Sequence, residues 1–295
     1  MTEYSIASQA QAEKVGAAIL KLLPTGDFSK AIPSDFKNGK VVIFIHGFTA
    51  DAAYMLPMMQ EFELNGYVAL AFNYPCYRGI DYAARSLYQL LEKYDGLNGG
   101  AISTDRITVV GHSMGGLVAR ALVGPESGHK YVRKVFTVGS PNAGTLHDSR
   151  VLQWYVTWGE SLSGLVYGGY IKSSKSALQL MWADGPEPFL AKLQNTKVPA
   201  GLVEFHSFSG GKNFLTLGKG GGLRERVLNI FIQKHFGNKT NDGLVLESST
   251  DLSHPRFALC ANGGVHHNGY ADFEVLNHSH LCESQILNLE ILSYA

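Results

Sequence analysis

One stretch of the chain passes from an apolar run through a tight turn into a second apolar run, with no loop between them. It reads Arg106-Ile-Thr-Val-Val-Gly111, then His112-Ser-Met-Gly-Gly116, then Leu117 to Val123. Continuous apolar residues mark a strand covered on both faces. The second run is helical, and Gly124-Pro125 stops it. A strand that turns directly into a helix belongs to a parallel sheet with crossover helices, so the fold class is α/β.

The same reading extends along the chain. Val41 to Ile45, Tyr67 to Tyr74, Val132 to Val138 and residues 202–208 read as strands, and Tyr82 to Leu91 as an intervening helix. Residues 8–23 carry Val15, Ala18, Ile19, Leu22 and Leu23 at helical spacing, stopped by Pro24. Between about 145 and 200 the alternation breaks. This segment holds all three tryptophans, Trp154, Trp158 and Trp182, among short amphipathic pieces separated by Gly and Ser. The expectation is one domain over 1–295 with a helical insertion at 145–200; two independent domains are the alternative. Six glycines in 210–222 make that stretch a loop.

At 295 residues and 45% apolar composition the chain can bury a sizeable core, which excludes global disorder. Lys+Arg and Asp+Glu are both 25, so no basic excess points to nucleic acid. The apolar runs are far shorter than the roughly 18 residues a membrane span needs. The start, Met1-Thr-Glu-Tyr-Ser-Ile, lacks the basic and apolar regions of a secretory leader, so the expectation is cytoplasmic. A secreted chain cut after its leader would read the same way. Cys76, Cys260 and Cys282 are too few and too dispersed for a disulfide framework, although one bridge is allowed.

The chemistry starts at Gly111-His-Ser-Met-Gly115. G-x-S-x-G between strand and helix is a nucleophile elbow, in which the turn is sharp enough to expose the serine and small residues prevent clashes. A glycine-rich turn with a surface serine has the same five letters; the flanking strand and helix favour the elbow. Ser113 as nucleophile needs a base, and the base needs a carboxylate, in the chain order Ser, acid, His. Asp242, in Asn241-Asp-Gly-Leu-Val245, follows the strand at 202–208 and is the candidate acid; an ordinary Asp-Gly turn is the competing reading. Asp251 and Asp272 lack that context.

Among eleven histidines, His46 and His112 precede the acid. His254, His266 and His267 lie in a Gly- and Asn-rich stretch without regular metal-ligand spacing, so no metal site is expected. Leu276-Asn-His-Ser-His-Leu281 precedes a helical run through Leu289. With Ser279 as N-cap, His278 lies on the loop and His280 in the helix. His278 is the favoured base and His280 the alternative. Backbone amides that hold the oxyanion are expected at Met114, after the nucleophile, and at Phe48, after the early strand.

Ile45-His-Gly-Phe48, Gly111-His-Ser-Met-Gly-Gly-Leu117, Val138-Gly-Ser-Pro-Asn-Ala-Gly-Thr145, Asn241-Asp-Gly-Leu-Val245 and Asn277-His-Ser-His-Leu281 together resemble a bacterial lipase or esterase of the α/β-hydrolase fold. The resemblance covers about 40–281 and is of the type with His-Gly and an apolar residue in the oxyanion turn. It implies hydrolysis of acyl esters through an acyl-enzyme, without a cofactor, under a helical cap. Trp154, Trp158 and Leu162 of the insertion are the candidate acyl-binding residues. A thioesterase, amidase or phospholipase would use the same triad, and a catalytically silent binding protein is the reading from another class. The stretch at 210–236, ahead of the acid, is longer than the resemblance implies.

Overall fold

The computed structural model describes residues 40–97, 99–100, 107–145, 175–180, 189–214, 222–254, 257, 265–268 and 278–295. The helix expected at 8–23, all three tryptophans, Leu162, Asp272 and Cys260 lie outside these residues.

The described strands form one sheet: β1 (Val41–Ile45), β2 (Val68–Phe72), β3 (Ile107–His112), β4 (Val132–Val138), β5 (Glu204–Phe208) and β6 (Val265–Asn268). Their order is β2-β1-β3-β4-β5-β6, and each neighbouring pair is parallel. The strands expected at 67–74 and 202–208 are shorter: the first is trimmed at both ends to Val68–Phe72 and the second at its start to Glu204–Phe208. The Gly- and Asn-rich stretch around His266 and His267 predicts a loop, whereas the structure places strand β6 there. It is held by pairing with β5, from Phe205 opposite Val265 to Phe208 opposite Asn268.

Eight α-helices are described: α1 (Leu56–Leu64), α2 (Ile80–Leu97), α3 (Met114–Val123), α4 (Lys175–Gln179), α5 (Phe189–Gln194), α6 (Gly222–Phe236), α7 (Glu247–Thr250) and α8 (Gln285–Tyr294). The long stretch ahead of Asp242 is thus largely α6.

Successive residues of a strand face opposite sides of the sheet, and here both sides are covered. Val41, Ile43 and Ile45 of β1 join one core with Ala83, Ala84 and Leu87 of α2 and Leu117, Val118 and Leu122 of α3. Val42 and Phe44 join the other, with Met58, Met59 and Phe62 of α1 and Leu287 and Ile291 of α8. That is why Val41–Ile45 of β1 and Val68–Phe72 of β2 read as continuous apolar runs. Each fully buried Ile or Phe contributes about 1.5–3 kcal/mol. The helix after β1 packs on one face and the helix after β3 on the other, while β1 and β3 are adjacent. The crevice at their carboxyl ends is the place where open α/β sheets bind ligands.

The described parts of 145–200 pack on this core. Leu180, Phe189, Leu190 and Leu193 join the α2–α3 side. Ser176 Oγ accepts from Gly79 N at 2.9 Å and Gln179 Oε1 from Ile80 N at 2.6 Å, satisfying amides at the start of α2 that have no helical partner. Burial pushes the Asp81 carboxyl up, but Lys175 and Gln179 outweigh it and hold its pKa below the ordinary value. Thr145 N donates to Leu180 O at 3.1 Å, joining the two flanks of the segment between them.

Candidate active site

Ser113 links β3 to α3 with φ 53° and ψ −124°, a conformation an L-residue adopts at a cost of about 1–3 kcal/mol. The surroundings over-determine it. Ser113 N donates to Val138 O at 2.8 Å, and Gly116 N donates to Ser113 O at 3.1 Å. A side chain at Gly115 would run into the carbonyls of Ile45 and His46, so α3 starts directly against the end of β1. Backbone geometry therefore fixes Ser113 at the carboxyl end of β3.

Asp242 and His278 meet at the end of the neighbouring strand β4, whose Val138 carbonyl accepts from Ser113 N. His278 Nδ1 stands 2.8 Å from Asp242 Oδ2, and the amide of His278 donates to the carbonyl of Asp242 at 2.8 Å. Oδ1 of the same carboxylate accepts from Leu244 N at 3.0 Å and Val245 N at 2.8 Å. Asp242 thus forms an Asx turn and faces an imidazole at once; the two sequence readings of this residue are compatible. A carboxylate accepts, so the proton lies on Nδ1 of His278 and Nε2 is left as the basic nitrogen. Gly139, with φ 55°, ends β4 against this pair. A methyl group there would stand 3.2 Å from both Asp242 Oδ2 and His278 Nδ1.

The turn after β1 closes the other side. A Cβ on Gly47 would stand 2.9 Å from Ser113 Cβ. His46 Nδ1 donates to Gly47 O at 2.9 Å, and its ring stacks on Tyr74 with centroids 4.3 Å apart. Tyr74 OH donates to His46 O at 2.7 Å. Burial lowers the His46 pKa to about 4, so the ring is neutral at neutral pH. Phe48 packs on the α2–α3 core and also on a cluster of Ala177, Leu228, Ile232 and Leu244. Thr49, next along, has φ 61°, in the left-handed region. Met114 is the first residue of α3, where the amide has no helical acceptor and the helix dipole favours negative charge.

One sequence expectation is corrected. Ser279 does not cap the last helix. Residues His278–Glu283 form a 3₁₀ turn, and Ser284 caps α8, its Oγ accepting from Leu287 N at 3.3 Å. His278 and His280 therefore share one turn, which buried Leu281 and Cys282 pin into the α1–α8 core. Asp251 is turned to its own neighbours, accepting from Ser253 N at 2.8 Å. Cys76 and Cys282 are buried and not in disulfides.

Sequence reasoning missed a polar frame behind the site. Asn142 Nδ2 donates to Thr250 O at 2.8 Å, and Arg120 of α3 donates to Asn142 O at 3.1 Å and Leu193 O at 3.3 Å. Arg120 also lies over the Phe257 ring, 5.0 Å from its centroid, and burial lowers its pKa to about 9. The segment Ser140-Pro-Asn-Ala-Gly144 was the available signal, a polar-and-glycine run directly after an apolar strand.

A parallel doubly covered sheet with a strained serine between strand and helix, and an Asp–His pair at the end of the neighbouring strand, defines a class. The Alpha/beta hydrolase family matches residues 42–280, and the chain belongs to it. The fold is similar to that of Bacillus licheniformis lipase BlEst2 in its mature form, at 16% identity over 89% of this chain and 92% of that one, with a TM-score of 0.53. It is similar also to the product of gene lin2722 of Listeria innocua, at 15% identity over 85% of this chain and 91% of that one, with a TM-score of 0.51. At these identities the likeness is one of fold. No curated protein matches the sequence. Among the described residues no helix is long and apolar enough to cross a membrane.

Proposed function

We propose that the protein is a serine carboxylic-ester hydrolase, a lipase or esterase, working through Ser113, His278 and Asp242. The observation that carries this reading is the buried Asp242–His278 pair, 2.8 Å apart, at the end of the strand next to that of a serine held at φ 53°. Ser113 Oγ attacks the ester carbonyl carbon and its proton passes to His278 Nε2. The oxyanion is held by the amides of Phe48 and Met114. The intermediate collapses, the C–O bond breaks, and the alcohol leaves with the proton from His278. Water then repeats the attack on the acyl-enzyme and releases the acid. Asp242 orients the imidazole and stabilises its cation. Nothing in this cycle requires a cofactor.

The acyl chain would lie against the turn at Phe48, with Trp154, Trp158 and Leu162 of the insertion forming the further wall of a cap within a single hydrolase domain. Labelling of Ser113 by a fluorophosphonate, with a chain-length series of p-nitrophenyl esters, tests the reading. Labelling lost in Ser113→Ala together with ester turnover supports it. An unlabelled, inactive wild-type protein would instead indicate a silent binding protein. Preference for thioesters or amides over esters would keep the triad and change the acyl substrate.

A further inference from the structure

We infer that His112 and Tyr54 are positioning residues for the base: together they hold the backbone carbonyl of His278 and thereby set where its imidazole meets Ser113. This rests on the triad proposed above.

His278 is tied to Asp242 at two points, its amide and its Nδ1. Those ties leave its carbonyl to be held by something else. Two donors converge on it from distant elements: His112 Nε2 at 3.3 Å and Tyr54 OH at 3.4 Å. A carbonyl only accepts, so His112 must carry its proton on Nε2. The imidazole of His112 is also packed between two rings, with centroids 4.8 Å from Tyr54 and 4.8 Å from His278. Its Nδ1 is buried with no hydrogen-bond partner and lies 3.5 Å from where a Gly47 side chain would begin. A buried acceptor left unpaired has a cost. Burial and the neighbouring His278 push the His112 pKa well below its ordinary value, so it stays a neutral donor.

The residue before the nucleophile thus touches the base from behind and reaches the oxyanion turn from the side. Backbone continuity joins it to Ser113. A shift of His112 would displace nucleophile and base relative to each other. Misplacement of a reacting group by about 1 Å costs on the order of 100-fold in rate.

The test uses the full chain, with kcat and KM for p-nitrophenyl butyrate and thermal unfolding measured for each variant. His112→Ala should lower kcat roughly 10- to 100-fold with KM nearly unchanged. His112→Gln, whose amide N–H can reach the same carbonyl, should recover most of that loss. Tyr54→Phe should lower kcat by a smaller factor. The acid limb of the kcat/KM profile should keep its position while its height falls, since the base is moved and its ionisation is not the target. Wild-type kcat in His112→Ala, or equal losses in His112→Ala and His112→Gln, would overturn the inference. If His112→Ala does not fold, His112→Gln and Tyr54→Phe decide: a kcat as low in the first as in Ser113→Ala, or unchanged in the second, overturns it. Activity retained in Ser113→Ala would overturn the triad itself, which is a different result.

Discussion

Asp242 holds His278 twice, once through its carboxylate and once through its carbonyl, both at 2.8 Å. Only the first link depends on the side chain. Asp242→Asn should therefore keep the Asx turn to Leu244 and Val245 and leave stability within about 1 kcal/mol. The amide cannot stabilise the imidazolium and permits the wrong tautomer. A loss of kcat of roughly 10⁴-fold is expected, read by steady-state kinetics beside urea unfolding. A fall below tenfold would remove Asp242 from the triad.

The shared 3₁₀ turn makes a contrast between its two histidines informative. His278 is buried against Asp242, whereas His280 is partly exposed. His278→Ala should reduce kcat by about 10⁴-fold or more, and His280→Ala should leave most of it. Reversal of that ranking would transfer the base to His280.

Gly139 offers a probe that adds atoms instead of removing them. Alanine there must adopt φ 55° and would place its methyl 2.6 Å from Leu281 Cδ1. The left-handed conformation alone costs about 1–2 kcal/mol. Gly139→Ala should lower the unfolding midpoint and, by pushing on the Asp242–His278 pair, lower kcat as well. Unchanged kinetics in a destabilised variant would show that the pair tolerates the intrusion.

Two buried neutral histidines make stability depend on acidity. The His46 pKa falls from 6.5 when unfolded to about 4 when folded. Between those values the unfolded chain binds more protons, so stability is full above pH 6.5 and is lost as pH falls towards 4. The loss from His46 is at most about 3 kcal/mol, and His112 acts in the same direction. Urea midpoints should drop between pH 7.5 and pH 4.5, less steeply in His46→Asn. A midpoint independent of pH over that window would contradict the burial of these rings.

Much of this arrangement is legible residue by residue. Val41–Ile45 and Val68–Phe72 reveal themselves because strands covered on both faces need no alternation. The elbow is local, so five consecutive residues announce it. What stays hidden is tertiary. Ser284, not Ser279, caps α8 because Leu281 and Cys282 are drawn into the core and tighten the turn before it. α6 shows no clean apolar stripe, since Leu223 and Ile230 are exposed while Leu228 and Ile232 are buried. The contacts of Tyr54 and His112 with His278 span 224 and 166 residues, and no local pattern encodes them.

The parallel sheet also dictates an order of assembly. No two of its paired strands can form as a hairpin; Val42, for example, must find Thr108 across a whole crossover. Such long-range closures are slow relative to helix formation. The turn bearing His278 docks against Gly139, Asp242, Tyr54 and His112, four partners that share no local segment with it. It can settle only after β3, β4 and the Asp242 loop are in place. On dilution from denaturant, helical circular dichroism should therefore return ahead of the proposed ester turnover, and that turnover would time the last docking event of folding.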